Sequence, residues 1–145
     1  MAVDVTTEIV IRRPREEVAA FAADPSNAPA WYANIASVDW ETPPPAAVGS
    51  RVRFVARFLG RTLRYTYEIR ELDAGRRLVM STSEGPFPME TTYGWSDAGS
   101  DGTRMSLRNR GEPAGFARVS APLMARAMRR ANDADLRRLR GLLER

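Results

Sequence analysis

RVRFVARFLGRTLRYTYEIREL, residues 51–72, alternates so regularly that it decides the fold. Val52, Phe54, Ala56 and Phe58 fall on one side of an extended chain, and Arg51, Arg53, Val55 and Arg57 on the other. After Leu59-Gly60, Leu63, Tyr65, Tyr67 and Ile69 alternate in the same way with Thr62, Arg64, Thr66, Glu68 and Arg70. A helix would scatter these residues around its axis, so the stretch reads as two strands joined by a tight turn. One face carries charge and the other large apolar groups. Such a sheet keeps one side wet and needs a cover for the other.

The pattern continues in both directions. Downstream, DAG at 73–75 closes a second hairpin, and RRLVMSTSE puts Leu78, Met80, Thr82 and Glu84 on the inner parity. PMETTYGW adds Met89, Thr91, Tyr93 and Trp95, and TRMSLRNR adds Met105, Leu107 and Asn109. Upstream, VDVTTEIVI is a strand. Pro14, Glu16 and Glu17 suit the first turn of a helix through PREEVAAFAAD, which Asp24-Pro25 stops. A second short helix is expected through NAPAWYANI, presenting Trp31 and Ile35, before the strand SVDWE and a rigid PPPAAVG connector. The cover comes last: Gly115 to Glu144 reads as one long helix with an inward stripe of Phe116, Ser120, Leu123, Met124, Ala127, Ala131, Ala134, Leu139, Leu142 and Leu143. Pro122 is expected to kink or divide it. The expected class is α+β, a curved antiparallel sheet of about seven strands around a carboxy-terminal helix, with residues 1–145 as a single domain.

Composition removes much familiar chemistry. The chain has no histidine and no cysteine, and all 22 of its basic residues are arginine. It therefore supplies no Ser-His-Asp triad, no thiolate or histidine metal site, no Schiff-base lysine and no P-loop lysine. Proton transfer would fall to Asp, Glu, Tyr or water. No metal and no cofactor is expected. The net charge of +4 comes from arginines dispersed over strand faces and the last helix, which argues against nucleic acid as a partner. No apolar run reaches the ~20 residues of a membrane-spanning helix, and no leader-like segment opens the chain, so the expectation is a cytoplasmic protein without membrane insertion, monomeric or homodimeric.

The element order, together with VTTEIVIRRPREEVAAFAADP, the tryptophan of PAWYANI, YEIRELDAGRRLVM and the terminal DLRRLRGLLER, resembles the START-like polyketide cyclase/dehydrase family of the SRPBCC superfamily over nearly the whole chain. The resemblance implies a helix-grip fold with an apolar cavity between sheet and helix. It further implies a polyketide-, lipid- or isoprenoid-like guest.

Candidate cavity residues follow from parity. Phe54, Phe58, Tyr65, Tyr67, Met80, Met89, Tyr93, Met105 and Leu107 either fill a core or line a cavity. Thr82, Thr91 and Asn109 add polar groups that need partners, water or a partly wet cavity. Phe116, Leu123, Met124 and Ala127 form the helix side, while Trp31 and Phe87 border the ends. Glu84 is the candidate acid or base if the strand's period holds to its end, because burial raises a carboxyl pKa. If the strand frays at Gly85-Pro86, Glu84 lies in solvent. Three functions remain open: a cyclase/dehydrase-like enzyme, a non-catalytic lipid or quinone carrier, and a protein-interaction module using an Arg-rich face.

Overall fold

The computed structural model describes residues 3–112 and 120–145. Strand β1 (Val3–Ile11) is followed by helix α1 (Arg15–Ala22), a 3-10 turn (Pro25–Asn27) and the short helix α2 (Ala28–Trp31). Six strands come next, β2 (Ile35–Trp40), β3 (Arg51–Phe58), β4 (Arg61–Asp73), β5 (Arg77–Glu84), β6 (Met89–Asp97) and β7 (Thr103–Gly111), and helix α3 (Ala121–Leu143) closes the chain. The strands form one seven-stranded sheet in the order β1-β7-β6-β5-β4-β3-β2, antiparallel throughout. It curls around α3 as a half-barrel, the expected helix-grip arrangement.

The deciding stretch forms the β3–β4 hairpin. Phe58 pairs with Arg61, leaving Leu59 and Gly60 as a two-residue turn. Both have positive φ, 49° and 78°, the combination that matches the right-handed twist of the flanking strands. On the outer face, arginines meet acids on the same or neighbouring strands, Arg51 and Arg70 with Glu68, Arg104 with Glu8 and Arg108 with Asp4, while Arg53 meets Glu41 just past the end of β2. The charge of that face is thus largely balanced locally.

One expectation about helices is corrected. The helix expected through NAPAWYANI stops at Trp31, and Ile35 opens β2 instead. Pro122 stands at the start of α3, not inside it. It occupies the first turn, where a missing N–H costs no bond, and Ser120 caps the helix by accepting from the Leu123 N–H at 3.4 Å. The part of the expected helix before Ser120, with Phe116, lies outside the described residues.

The inward stripe of α3 is rotated from the one expected. Met124, Asn132, Asp135, Leu136 and Leu139 are buried, whereas Leu123 is 59% exposed and Ala134 is exposed. Spacings of three and four keep the buried set on one face. The main core joins Ile11, Val18, Trp31, Val52, Ile69, Leu78, Met105, Leu107, Leu136 and Leu139. A smaller cluster of Val3, Val5, Leu63, Phe87 and Met124 lies apart from it.

Candidate functional site

Members of both clusters share the wall of a cavity of about 170 Å³ between sheet and α3. The sheet supplies Phe54, Ala56, Phe58, Leu63, Tyr65, Tyr67, Met80, Met89, Thr91, Tyr93 and Asn109, and the β5–β6 connection supplies Phe87. Helix α3 supplies Met124, Met128, Ala131, Asn132 and Asp135, and the α2 region closes one end with Ala28, Tyr32, Asn34 and Ile35. Inner-parity residues of β3 to β7 converge there because the curled sheet points them toward the axis of the half-barrel.

One wall is aromatic. Phe54 and Tyr65 stack with centroids 5.6 Å apart, and Tyr65 meets Tyr67 edge-on at 4.9 Å. Four methionines, Met80, Met89, Met124 and Met128, supply adaptable apolar surface elsewhere.

The polar groups form two connected sets. Tyr67 OH and Thr91 Oγ1 are 2.8 Å apart, Thr91 Oγ1 donates to Asn109 Oδ1 at 2.6 Å, and Asn109 Nδ2 donates to Asn132 Oδ1 at 3.2 Å. The second set pairs Tyr32 and Tyr93 hydroxyl to hydroxyl at 2.6 Å. Close to this pair, Asp135 Oδ1 accepts from the Ala33 N–H at 3.1 Å and from Arg138 Nη1 at 3.3 Å. The Asp135 side chain is only 3% exposed, and burial pushes its carboxyl above the ordinary range despite both donors. Burial also raises all four phenols, Tyr67 to about 12. At neutral pH they are protonated donors.

Several candidates sit elsewhere. Glu84 is exposed: the β4–β5 register shifts between Thr66 and Tyr67, so that Thr66 faces Glu84 while Tyr67 faces Thr82. The extra residue breaks the period that would have carried Glu84 inward. Thr82 does not line the cavity, its Oγ1 instead accepting from the Met89 N–H at 3.0 Å. Met105 and Leu107 have the right parity, and Trp31 ends α2, but all three are fully buried in the main core, beyond the cavity wall. Leu123 points to solvent, and Ala127 is half-buried off the cavity because the helix phase differs by one residue. Glu90 and Arg110 form an ion pair of 2.9 Å at the cavity's solvent edge.

Sequence reasoning missed Asn132 and Asp135. Their signal was present: Met124, Met128, Leu136 and Leu139 mark the stripe, and positions 132 and 135 fall inside it. Among the described residues, no group of three or more Asp or Glu is placed to hold a metal ion, and no helix is long and apolar enough to cross a membrane.

Known proteins share this fold. TTHA0849 from Thermus thermophilus is 25% identical with a TM-score of 0.78, covering 95% of this chain and 94% of its own. A START superfamily protein from Mycobacterium smegmatis is 15% identical with a TM-score of 0.82, covering 97% of both chains. The Zhui aromatase/cyclase from Streptomyces sp. R1128 is 18% identical with a TM-score of 0.79, covering all of this chain and 95% of its own. No curated protein sequence gives a significant match. The family described as polyketide cyclase / dehydrase and lipid transport matches residues 2–144, and the chain therefore belongs to that family.

Proposed function

We propose that the protein binds a hydrophobic, ring-containing small molecule between its sheet and α3. The observation that carries this reading is the cavity, whose aromatic and methionine walls surround a short strip of connected polar groups. Its volume, about 170 Å³, is of the order of the ~150 Å³ that accepts benzene in an engineered protein core. One or two rings suit it as it stands, and larger polyketide-, lipid- or isoprenoid-like guests call for rearranged methionines. The local pairing of outer arginines favours this reading over recognition of acidic proteins.

The test is ligand capture. Native mass spectrometry of gently purified protein is expected to reveal a bound small molecule, and a naphthalene-type fluorescent probe to bind. Ala131→Phe, which fills the cavity from α3, is expected to weaken probe binding at least tenfold while the far-ultraviolet spectrum stays unchanged. Undiminished probe binding by the folded variant would rule the cavity out.

A catalytic reading, cyclisation or dehydration of such a guest, is favoured by one specific observation. Asp135 brings a buried carboxyl to the cavity wall near the Tyr32–Tyr93 pair. It replaces Glu84 as the candidate acid or base.

A further inference from the structure

Resting on the hydrophobic-ligand reading above, we propose that Asn132 selects guests carrying a hydrogen-bond acceptor such as a ketone, quinone or ester carbonyl. A count of hydrogens gives the reason. Thr91 has one hydroxyl hydrogen, and it is committed to Asn109 Oδ1 at 2.6 Å. The 2.8 Å contact between Thr91 Oγ1 and Tyr67 OH must then use the phenolic hydrogen. Asn109 carries the same sense onward, its Nδ2 donating to Asn132 Oδ1 at 3.2 Å. Each group accepts from the one before and donates to the one after. One Asn109 hydrogen aside, the donor capacity left over therefore collects at the last group, the Asn132 amide nitrogen.

That nitrogen is buried and has no hydrogen-bond partner, on a side chain of a residue that is 5% exposed and lines the cavity. A buried N–H without an acceptor is costly, and a ligand that brings one relieves the cost. Packing gives no reason for an amide here. Met124, Met128 and Leu136 occupy the same helical row at intervals of four, so an aliphatic residue at 132 would complete an apolar stripe. The amide is intelligible as a reader of ligand chemistry: it rewards a carbonyl at this depth and penalises a pure hydrocarbon of the same shape.

A matched pair of bicyclic probes separates the possibilities. Binding of 1-tetralone and tetralin is measured by calorimetry for the wild-type protein and for Asn132→Leu. The ratio of tetralone to tetralin affinity is expected to fall about 5- to 10-fold in the variant. In 15N-labelled wild-type protein, which carries no risk of misfolding, the Asn132 side-chain amide protons are expected to move downfield with 1-tetralone and not with tetralin. An unchanged ratio together with an unmoved amide signal overturns the assignment to Asn132 and leaves the cavity reading standing. Tighter capture of 5,6,7,8-tetrahydro-1-naphthol, a strong donor, than of 1-tetralone also overturns it, because it would mean that the chain runs in the reverse sense. Binding of none of these compounds overturns the hydrophobic-ligand reading itself, and this inference with it.

Discussion

Tyr32 and Tyr93 meet hydroxyl to hydroxyl at 2.6 Å, and their contact ties the residue capping α2 to the middle of β6. Only one hydrogen lies between the two oxygens, so each partner depends on the other to satisfy a buried group. Tyr32→Phe and Tyr93→Phe are each expected to destabilise the fold by about 0.5–1.5 kcal/mol. The double variant should lose less than the sum of the two. Urea unfolding of all four proteins measures the coupling, and strict additivity would mean that the bond contributes nothing.

Alkaline behaviour follows from the same burial. The chain's four tyrosines, Tyr32, Tyr65, Tyr67 and Tyr93, all have phenols raised above the ordinary value. The folded state therefore keeps protons that the unfolded state releases near pH ~10. This contribution is fully present below that pH and is lost as pH rises from there toward the folded values, about 12 for Tyr67. Absorbance at 295 nm should stay flat until the protein unfolds and then report all four phenolates in one step. A tyrosine that ionises below pH ~10 in the folded protein would contradict this.

Asp135, like the tyrosines, is an acid whose neutral form burial favours. Its carboxyl is held above the ordinary range by burial, so the folded state binds a proton more tightly than the unfolded state does. Stability from this group is greatest at acid pH and falls as pH rises through a window from the ordinary carboxylate value to the raised one. Asp135→Asn can still accept from the Ala33 N–H without a buried charge. It is expected to be more stable than the wild type at pH 7, with the gain vanishing as the pH is lowered into the ordinary carboxylate range. Thermal melts of both proteins across that range check the sign. A variant less stable at pH 7 than at acid pH, relative to wild type, would reverse the assignment.

What could be read from the sequence depended on how each residue type reports its surroundings. Alternation from Arg51 to Ile69 carried the sheet, since period two is unambiguous when arginine and aromatics exchange sides. The mixed text of Met89, Thr91 and Tyr93 marked a real cavity wall. The α3 stripe was harder, because Ala127, Ala131 and Ala134 suit either face while Asn132 and Asp135 ordinarily belong in solvent. A one-residue step turns a helix by about 100°, enough to send Leu123 to solvent beside the inward Met124 and to put Met128 on the cavity instead of Ala127. Glu84 failed for another reason: a bulge changes parity without leaving a mark in composition. Met105 and Leu107 show that parity gives the side of a sheet and not the depth.

The pairing of β1 with β7 bears on how the protein is made. Val3 lies opposite Gly111, and the ladder between them runs through Asn109. During synthesis, β1 must wait for more than a hundred residues before its neighbour leaves the ribosome, a long-range contact of the kind that slows folding. Asn109, the link between the sheet's polar chain and α3, emerges in that same late strand. A nascent chain halted before β7 would have most of its aromatic wall and no closed site, so ligand capture belongs to the finished polypeptide alone.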